Sequence, residues 1–246
     1  PINGCKKINP RPDPPWGFSS GSEDMDRLLD GGFPRGSTIL LEVAEHISTF
    51  QYHLILNPIP WNFLAKGRGV IVIPSPGVDH NVVKKRTAEA GFTDEEINRI
   101  LRVCSFEFLD SPDSPYIARF KGENMEEDWQ RYLEVEKELM ERTGQPVLHI
   151  IGANTILTHY GREEAMKVLN LAASIIRGRG EIGVIILKPG YPGLSKSLGA
   201  IADIHLKITR EHGVLLLYGV KPRTGIYVVE IDSSKGYILP KLTPII

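Results

Sequence analysis

The sequence predicts a single α/β domain with a largely parallel central sheet flanked by helices and an antiparallel C-terminal extension. Up to about residue 187, short apolar segments without polar alternation, typical of strands buried on both faces, alternate with helical segments. The last third contains four strand-like segments separated by turns that leave no room for crossover helices. A length of 246 residues suits one large domain.

The individual elements follow from apolar runs, helix caps and breaker residues. The parallel strands are predicted at residues 37–43, 69–73, 103–109, 147–151 and 183–187. Helices are predicted, from their caps and apolar periodicity, at residues 20–30, 48–56, 79–90, 93–101, 124–142 and 162–177. Pro58 and Pro60 are expected to end the second helix, because proline has no amide donor. The antiparallel strands are predicted at residues 203–209, 214–220, 226–231 and 237–239.

The first 16 residues differ in character from the rest of the chain. They contain five prolines and little periodicity, which predicts an extended arm ahead of a domain at residues 17–246. Two interpretations remain open: a loose terminus, or a strand-like arm that binds a neighbouring protomer.

A glycine-rich pattern follows the arm and leads into the first buried strand. Its defining residues are Ser20, Gly21, Asp26, Leu28, Leu29, Gly31, Gly32, Pro34, Gly36 and Ser37. This pattern resembles the opening motif of the archaeal KaiC/RadA-like ATPases, a branch of the RecA superfamily. The resemblance implies a RecA-like P-loop NTPase fold over roughly residues 17–237. It also implies a nucleotide-binding loop directly after the first strand.

That loop lacks the residues that hold a phosphate. A P-loop reads G-x-x-x-x-G-K-[S/T], and no Gly-Lys dipeptide occurs in the chain. The corresponding residues are Val43, Ala44, Glu45, His46, Ile47, Ser48 and Thr49. Glu45 places a negative charge where phosphate oxygens would lie, and Ser48 and Thr49 are expected to cap the following helix. The sequence therefore predicts a degenerate Walker A motif and no bound cofactor.

Two further catalytic positions of the family are also altered. Gly152 stands where the resemblance places the Walker B acid that orders Mg²⁺, and Pro76 and Gly77 stand where it places the water-activating glutamates. Three separate losses from one site favour a protein without ATPase activity. We therefore expect no catalytic residue, although the sequence leaves the assignment as an enzyme uncertain.

Four basic residues remain candidates for interface or anion contacts. Lys188 and Lys196 lie in a glycine-rich loop at residues 188–199, which is either an anion-binding concavity or an ordinary mobile loop. Lys221 and Arg223 match a Lys-x-Arg pair that, by resemblance, reaches the phosphates of a neighbouring protomer. The alternative is a solvated turn.

Composition limits the other classes of function. The net charge of −1 provides no overall attraction to nucleic acid, and no apolar run approaches the length of a membrane span. Two cysteines in 246 residues indicate a reducing, cytoplasmic location. The seven histidines show no metal-ligand spacing, so no metal site is expected.

The leading hypothesis is a non-catalytic pseudo-ATPase that acts through a protein or peptide, for example a peptide added to a sheet edge. Self-association is a further possibility for such a domain. The alternatives are an atypical NTP-binding ATPase that uses Ser48, Thr49, Lys221 and Arg223, and a DNA-binding recombinase paralogue. The sequence leaves the partner, the pathway and the oligomeric state open.

Overall fold

A computed structural model describes residues 7–106 and 113–245. Within these ranges the strands are β1 (Gly17–Phe18), β2 (Phe33–Pro34), β3 (Ser37–Val43), β4 (Val70–Ile73), β5 (Leu101–Ser105), β6 (Ile117–Arg119), β7 (Leu148–Gly152), β8 (Ile182–Leu187), β9 (Ile204–Glu211), β10 (Val214–Lys221), β11 (Arg223–Asp232) and β12 (Leu239–Pro244). The helices are α1 (Glu23–Leu28), α2 (Thr49–Leu56), α3 (Pro58–Ala65), α4 (His80–Glu89), α5 (Asp94–Ile100), α6 (Met125–Thr143), α7 (Ala153–Arg179) and α8 (Leu194–Ile201).

Ten of these strands form one sheet in the order β12-β11-β10-β9-β3-β8-β7-β4-β5-β6. Pairing is parallel from β9 through β6 and antiparallel from β9 to β12. Alternate residues of β3 enter different apolar cores, Ile39 and Leu41 on one face and Leu40 on the other. The predicted α/β class, with a largely parallel sheet and an antiparallel extension, is confirmed.

Several elements differ from the sequence-based expectation. Helix α2 ends at Leu56, just before Pro58, as predicted. The sequence did not indicate α3, in which Pro58 occupies the first turn, where its missing amide donor costs nothing. Helix α7 begins nine residues earlier than residue 162, and Gly161, with φ of 77°, breaks its regular geometry. Strand β6 and helix α8 were not anticipated. The predicted strand continuation over residues 107–109 lies outside the described residues.

The glycine-rich motif has a structural role in this chain. Asp26 is buried and accepts hydrogen bonds from the Ser20 amide at 2.7 Å and the Ser20 hydroxyl at 2.6 Å. Gly32 has φ of 141°, and a Cβ there would lie 2.4 Å from the carbonyl oxygen of Phe18. These contacts hold residues 18–32 together within the chain, and none of them involves a nucleotide.

The proline-rich arm packs on its own domain over its described residues. Ile8 is 2% exposed, and the Arg11 amide donates to Asn62 Oδ1 at 2.9 Å. Asp13 forms ion pairs with Lys66 at 2.9 Å and Arg68 at 2.7 Å. Residues 7–16 are thus neither loose nor extended towards a neighbour, because an apolar side chain and a charged one anchor them here.

The β12 edge of the sheet is closed to further strands. The Leu242 amide points away from β11 and donates to Asp24 Oδ2 at 2.8 Å. Pro240 and Pro244, two residues to either side, face the same way and have no amide hydrogen. The outer side of β12 therefore has no free donor at these three positions, which is a common protection against edge pairing.

We predict that Gly32→Ala lowers the free energy of unfolding by at least about 2 kcal/mol, because a Cβ meets backbone at a positive φ. The measurement is urea unfolding followed by circular dichroism. Gly178→Ala is the matched control. Gly178 is exposed in α7 with open space around it, so alanine there should stabilise the protein by about 0.5–1 kcal/mol. Equal effects of the two substitutions would contradict the structural role of Gly32.

Candidate functional site

The candidate site lies at the carboxyl ends of β3, β4, β7 and β8, where open α/β sheets bind ligands. The loop at residues 44–48 connects β3 to α2 and is short. The Ala44 amide donates to the Ile208 carbonyl at 3.0 Å, so the first loop residue still pairs with the neighbouring strand. Ser48 forms a capping box with Gln51, in which the Gln51 amide donates to Ser48 Oγ at 3.2 Å. The serine hydroxyl thus caps α2, with Thr49 as its first residue.

Two acidic side chains, Glu42 and Glu45, line this edge together with Lys188 and Lys207. Glu42, at the end of β3, contacts His205 Nε2 at 2.8 Å and lies 3.9 Å from Lys207 Nζ. The hydrogen bond from His205 is the main reason why the pKa of Glu42 lies below its usual value. Glu45 is exposed in the loop beside it. A cleft of about 540 Å³ beside the loop therefore carries at least one firmly ionised carboxylate.

Gly152, which the family resemblance places at the Walker B acid position, has no space for a side chain. A Cβ on Gly152 would lie 2.7 Å from the Ser75 amide nitrogen and 2.9 Å from the Ile73 carbonyl oxygen. These neighbours are backbone atoms of the adjacent strand end, which cannot rotate away as a flexible side chain could. Glycine at position 152 is therefore required by the packing of β7 against β4.

Hydrogen bonds from side chains to the backbone join the ends of the strands. Asn154 Oδ1 accepts from the Lys188 amide at 2.8 Å, which ties the start of α7 to the end of β8. Thr155 Oγ1 donates to the Pro74 carbonyl at 2.5 Å, which ties α7 to the end of β4. The sequence did not indicate Asn154 or Thr155, because their bonding partners are distant along the chain.

The four basic candidates do not form one anion site. Lys188 Nζ donates to the Pro76 carbonyl at 3.1 Å and lies 5.7 Å from the Tyr52 ring centroid. Lys221 Nζ donates to the Ala202 carbonyl at 2.6 Å, at the C-terminal end of α8. The remaining two, Lys196 on α8 and Arg223 at the start of β11, are exposed. Residues 194–199 belong to α8, so only residues 188–193 of the predicted glycine-rich loop form a loop in the structure.

His53 lies on α2, directly beneath the loop. Its ring is buried, and Nδ1 has no hydrogen-bond partner in the part of the chain that the structure describes. Burial, assisted by the charges of Arg86 and Lys188, lowers the pKa of His53 to about 3. The neutral ring lines a small cavity of about 50 Å³. The His53 ring is therefore uncharged at neutral pH.

The fold is a RecA-like α/β fold, similar to that of KaiC-like proteins. The structure is similar to the KaiC-like protein PH0186 of Pyrococcus horikoshii, with a TM-score of 0.65 and 15% identity over 92% of this chain and 98% of that one. It is also similar to the uncharacterized protein PH0321 of the same organism, crystallised with an unknown peptide. That match has a TM-score of 0.71 and 17% identity over 92% and 99% of the two chains.

Among curated proteins, the chain is similar to two proteins of Halobacterium salinarum. It is 26% identical to GvpD2 over 244 residues, which cover 95% of this chain and 48% of GvpD2. It is 23% identical to GvpD1 over 279 residues, which cover 92% and 50% of the two chains. The chain spans about half the length of these curated relatives. No protein-family model matches it. The RecA/KaiC-like resemblance inferred from residues 20–37 is confirmed for the fold.

We predict that His53 makes the protein less stable in mild acid. Because its folded pKa of about 3 lies below the unfolded value of 6.5, the unfolded chain binds the proton first as the pH falls. From pH 7.5 to pH 5 this loss amounts to about 2 kcal/mol, at 1.36 kcal/mol per pKa unit. The free energy of unfolding should be measured by urea unfolding at pH 7.5 and at pH 5. Its fall between these pH values should be smaller by about 2 kcal/mol in His53→Gln than in the unmodified protein.

The matched control is His212→Gln, since His212 is exposed on the turn between β9 and β10. The free energy of unfolding of His212→Gln should change with pH as it does in the unmodified protein. A His53→Gln variant with unchanged pH dependence would show that His53 is protonated as easily in the folded as in the unfolded chain.

Proposed function

We propose that this chain is a non-catalytic, RecA-fold interaction domain that binds a protein or peptide and does not turn over a nucleotide. The observation that carries this proposal is the crowded backbone at Gly152, which leaves no room for a Mg²⁺-ordering acid. The capped loop at residues 44–48 and the acid at Glu42 support it, because both oppose a bound triphosphate. We infer a cytoplasmic location from the cysteine content.

The surface that favours a partner is one face of the antiparallel extension, called here the extension face. It consists of Leu216 and Tyr218 on β10 and their cross-strand partners Val228 and Ile226 on β11. The residues between them, such as Leu217 and Val229, pack into the core on the opposite face. Ile226 is 44% exposed, Tyr218 and Val228 are half-buried, and Leu216 is buried, although none of the four belongs to either apolar core.

An apolar sheet face with a polar border is typical of a protein-binding surface. Lys207 and Thr209 on β9 and Thr243 on β12 lie across from the extension face and supply such a border. Because the β12 edge is protected, we propose contact through this face and not through an added strand. PH0321, which is similar in fold, was crystallised with an unknown peptide. Peptide binding is thus a property of that protein, and it supports the proposal that a domain of this fold can bind a peptide.

None of the helices in the described ranges combines the length and apolar character needed to cross a bilayer.

We expect Mg-ATP, Mg-ADP and Mg-GTP to leave the melting temperature unchanged within about 1 °C. A ligand at one hundred times its Kd stabilises a protein by about 2.7 kcal/mol, which for a domain of this size corresponds to about 5–10 °C. Differential scanning fluorimetry at millimolar nucleotide provides the measurement. A shift of several degrees that needs Mg²⁺ would instead favour an atypical nucleotide binder and overturn the non-catalytic assignment.

We expect Ile226→Asp to weaken partner binding at least about tenfold, because a buried carboxylate replaces apolar contact at the centre of the extension face. The probes are peptides selected against the protein from a random phage-displayed library, together with the protein itself in sedimentation experiments. Leu171→Asp is the matched control, since Leu171 on α7 is 46% exposed and lies outside this face. If both variants lose affinity equally, or if the selected peptides bind Ile226→Asp as tightly as the unmodified protein, the extension face is not the binding surface.

A further inference from the structure

A second group of polar side chains lies away from the nucleotide edge, among α6, β7 and the residue before β8. It consists of Glu136, His149 and Glu181, with relative exposures of 0%, 2% and 0%. One nitrogen or oxygen atom from each residue lies within 4.8 Å of the others. No function proposed above uses this cluster, which we call the buried triad.

The geometry of the buried triad directs its donor atoms towards one another. His149 Nε2 contacts Glu181 Oε2. The other ring nitrogen, Nδ1, is hydrogen bonded to Tyr132 Oη at 2.7 Å, which fixes the orientation of the imidazole. A hydrogen bond to the distant nitrogen of this kind commonly orients a metal-binding histidine.

Two oxygen atoms of the buried triad are left without partners. Glu136 Oε1 and Glu181 Oε1 are fully buried and have no hydrogen-bond partner in the described ranges of the chain. Buried carboxylate oxygens without partners are costly, because the charge loses its hydration without compensation. A cation bound between them would provide the missing contact.

We propose that the buried triad binds one divalent transition-metal ion, with Zn²⁺ as the best fit, through His149 Nε2 and one carboxylate oxygen each from Glu136 and Glu181. One imidazole nitrogen with two carboxylate oxygens is a donor set that suits zinc. Calcium and magnesium fit less well, since both prefer all-oxygen surroundings. The ion takes the place between His149 and Glu181 that a proton takes in the metal-free protein.

Arg179 controls access to this site. Its guanidinium pairs with Glu136, and its side chain is 41% exposed, so it reaches from the solvent to the buried triad. The arginine supplies a single positive charge where a metal would supply two. Because its stem is partly exposed, the head can move into water when a metal enters. The arginine therefore competes with the metal for Glu136.

The experiment uses tag-free protein, stripped with a chelator and titrated with ZnCl₂ in a calorimeter, with bound metal counted by mass spectrometry after desalting. We expect one Zn²⁺ per chain. Co²⁺ should give visible d–d bands without a thiolate charge-transfer band, because no cysteine takes part. His149→Gln and Glu181→Gln should abolish stoichiometric binding, and Tyr132→Phe should weaken it about tenfold.

Arg179→Gln is the most diagnostic variant, because it should bind Zn²⁺ more tightly than the unmodified protein. A purely structural ion pair would not produce this gain, and folding is checked by circular dichroism. His205→Gln is the matched control, since His205 also pairs with a carboxylate, Glu42, and the structure places no third ligand beside it. It should bind zinc normally.

Absence of stoichiometric zinc from both the unmodified protein and Arg179→Gln would overturn the proposal and leave a proton shared between the carboxylates. Binding that survives His149→Gln would also overturn it, since the metal would then lie elsewhere.

Discussion

The close approach of two strand ends is the constraint on which the functional edge depends. At Gly152 the backbone of β7 lies so near the end of β4 that a Cβ would meet backbone atoms at 2.7–2.9 Å. Asn154 and Thr155 then hold these ends together through hydrogen bonds to the neighbouring backbone. A phosphoryl-transfer site needs an acid projecting from such a strand end and open space for Mg²⁺. The packing that stabilises this edge therefore leaves no room for such an acid at residue 152.

The family motif remains because it serves the fold. Asp26 binds the backbone and side chain of Ser20 inside the protein, and Gly32 provides a conformation and a close contact that no other residue allows. Neither role involves a phosphate. The fold therefore requires these residues of the motif whatever the loop at residues 44–48 binds.

The sequence predicts local features well and contacts between distant residues poorly. Apolar runs located β3, β4, β7 and β8 to within two residues and the start of β5 equally closely, but they missed the short parallel strand β6. The Thr93–Glu96 capping box marked the start of α5. Pro58 correctly marked the end of α2, but the sequence did not indicate that the same residue begins a new helix, since proline is tolerated in a first turn. The buried triad was invisible, because its residues come from three elements and show no ligand spacing along the chain. Gly152 could be identified as a lost acid, but the lack of space around it required coordinates.

The charges at the edge do not by themselves decide which ligand it takes. Glu42 and Glu45 line the cleft together with Lys188 and Lys207, so its acidic and basic side chains are balanced in number. Lys188 is turned to the Pro76 carbonyl and the Tyr52 ring, and Lys207 lies 3.9 Å from Glu42. Both lysines thus have partners within the chain, and an anion would compete with those partners for them. The backbone crowding at Gly152, more than the charge of the cleft, is therefore the obstacle to an acid that would hold Mg²⁺ at this edge.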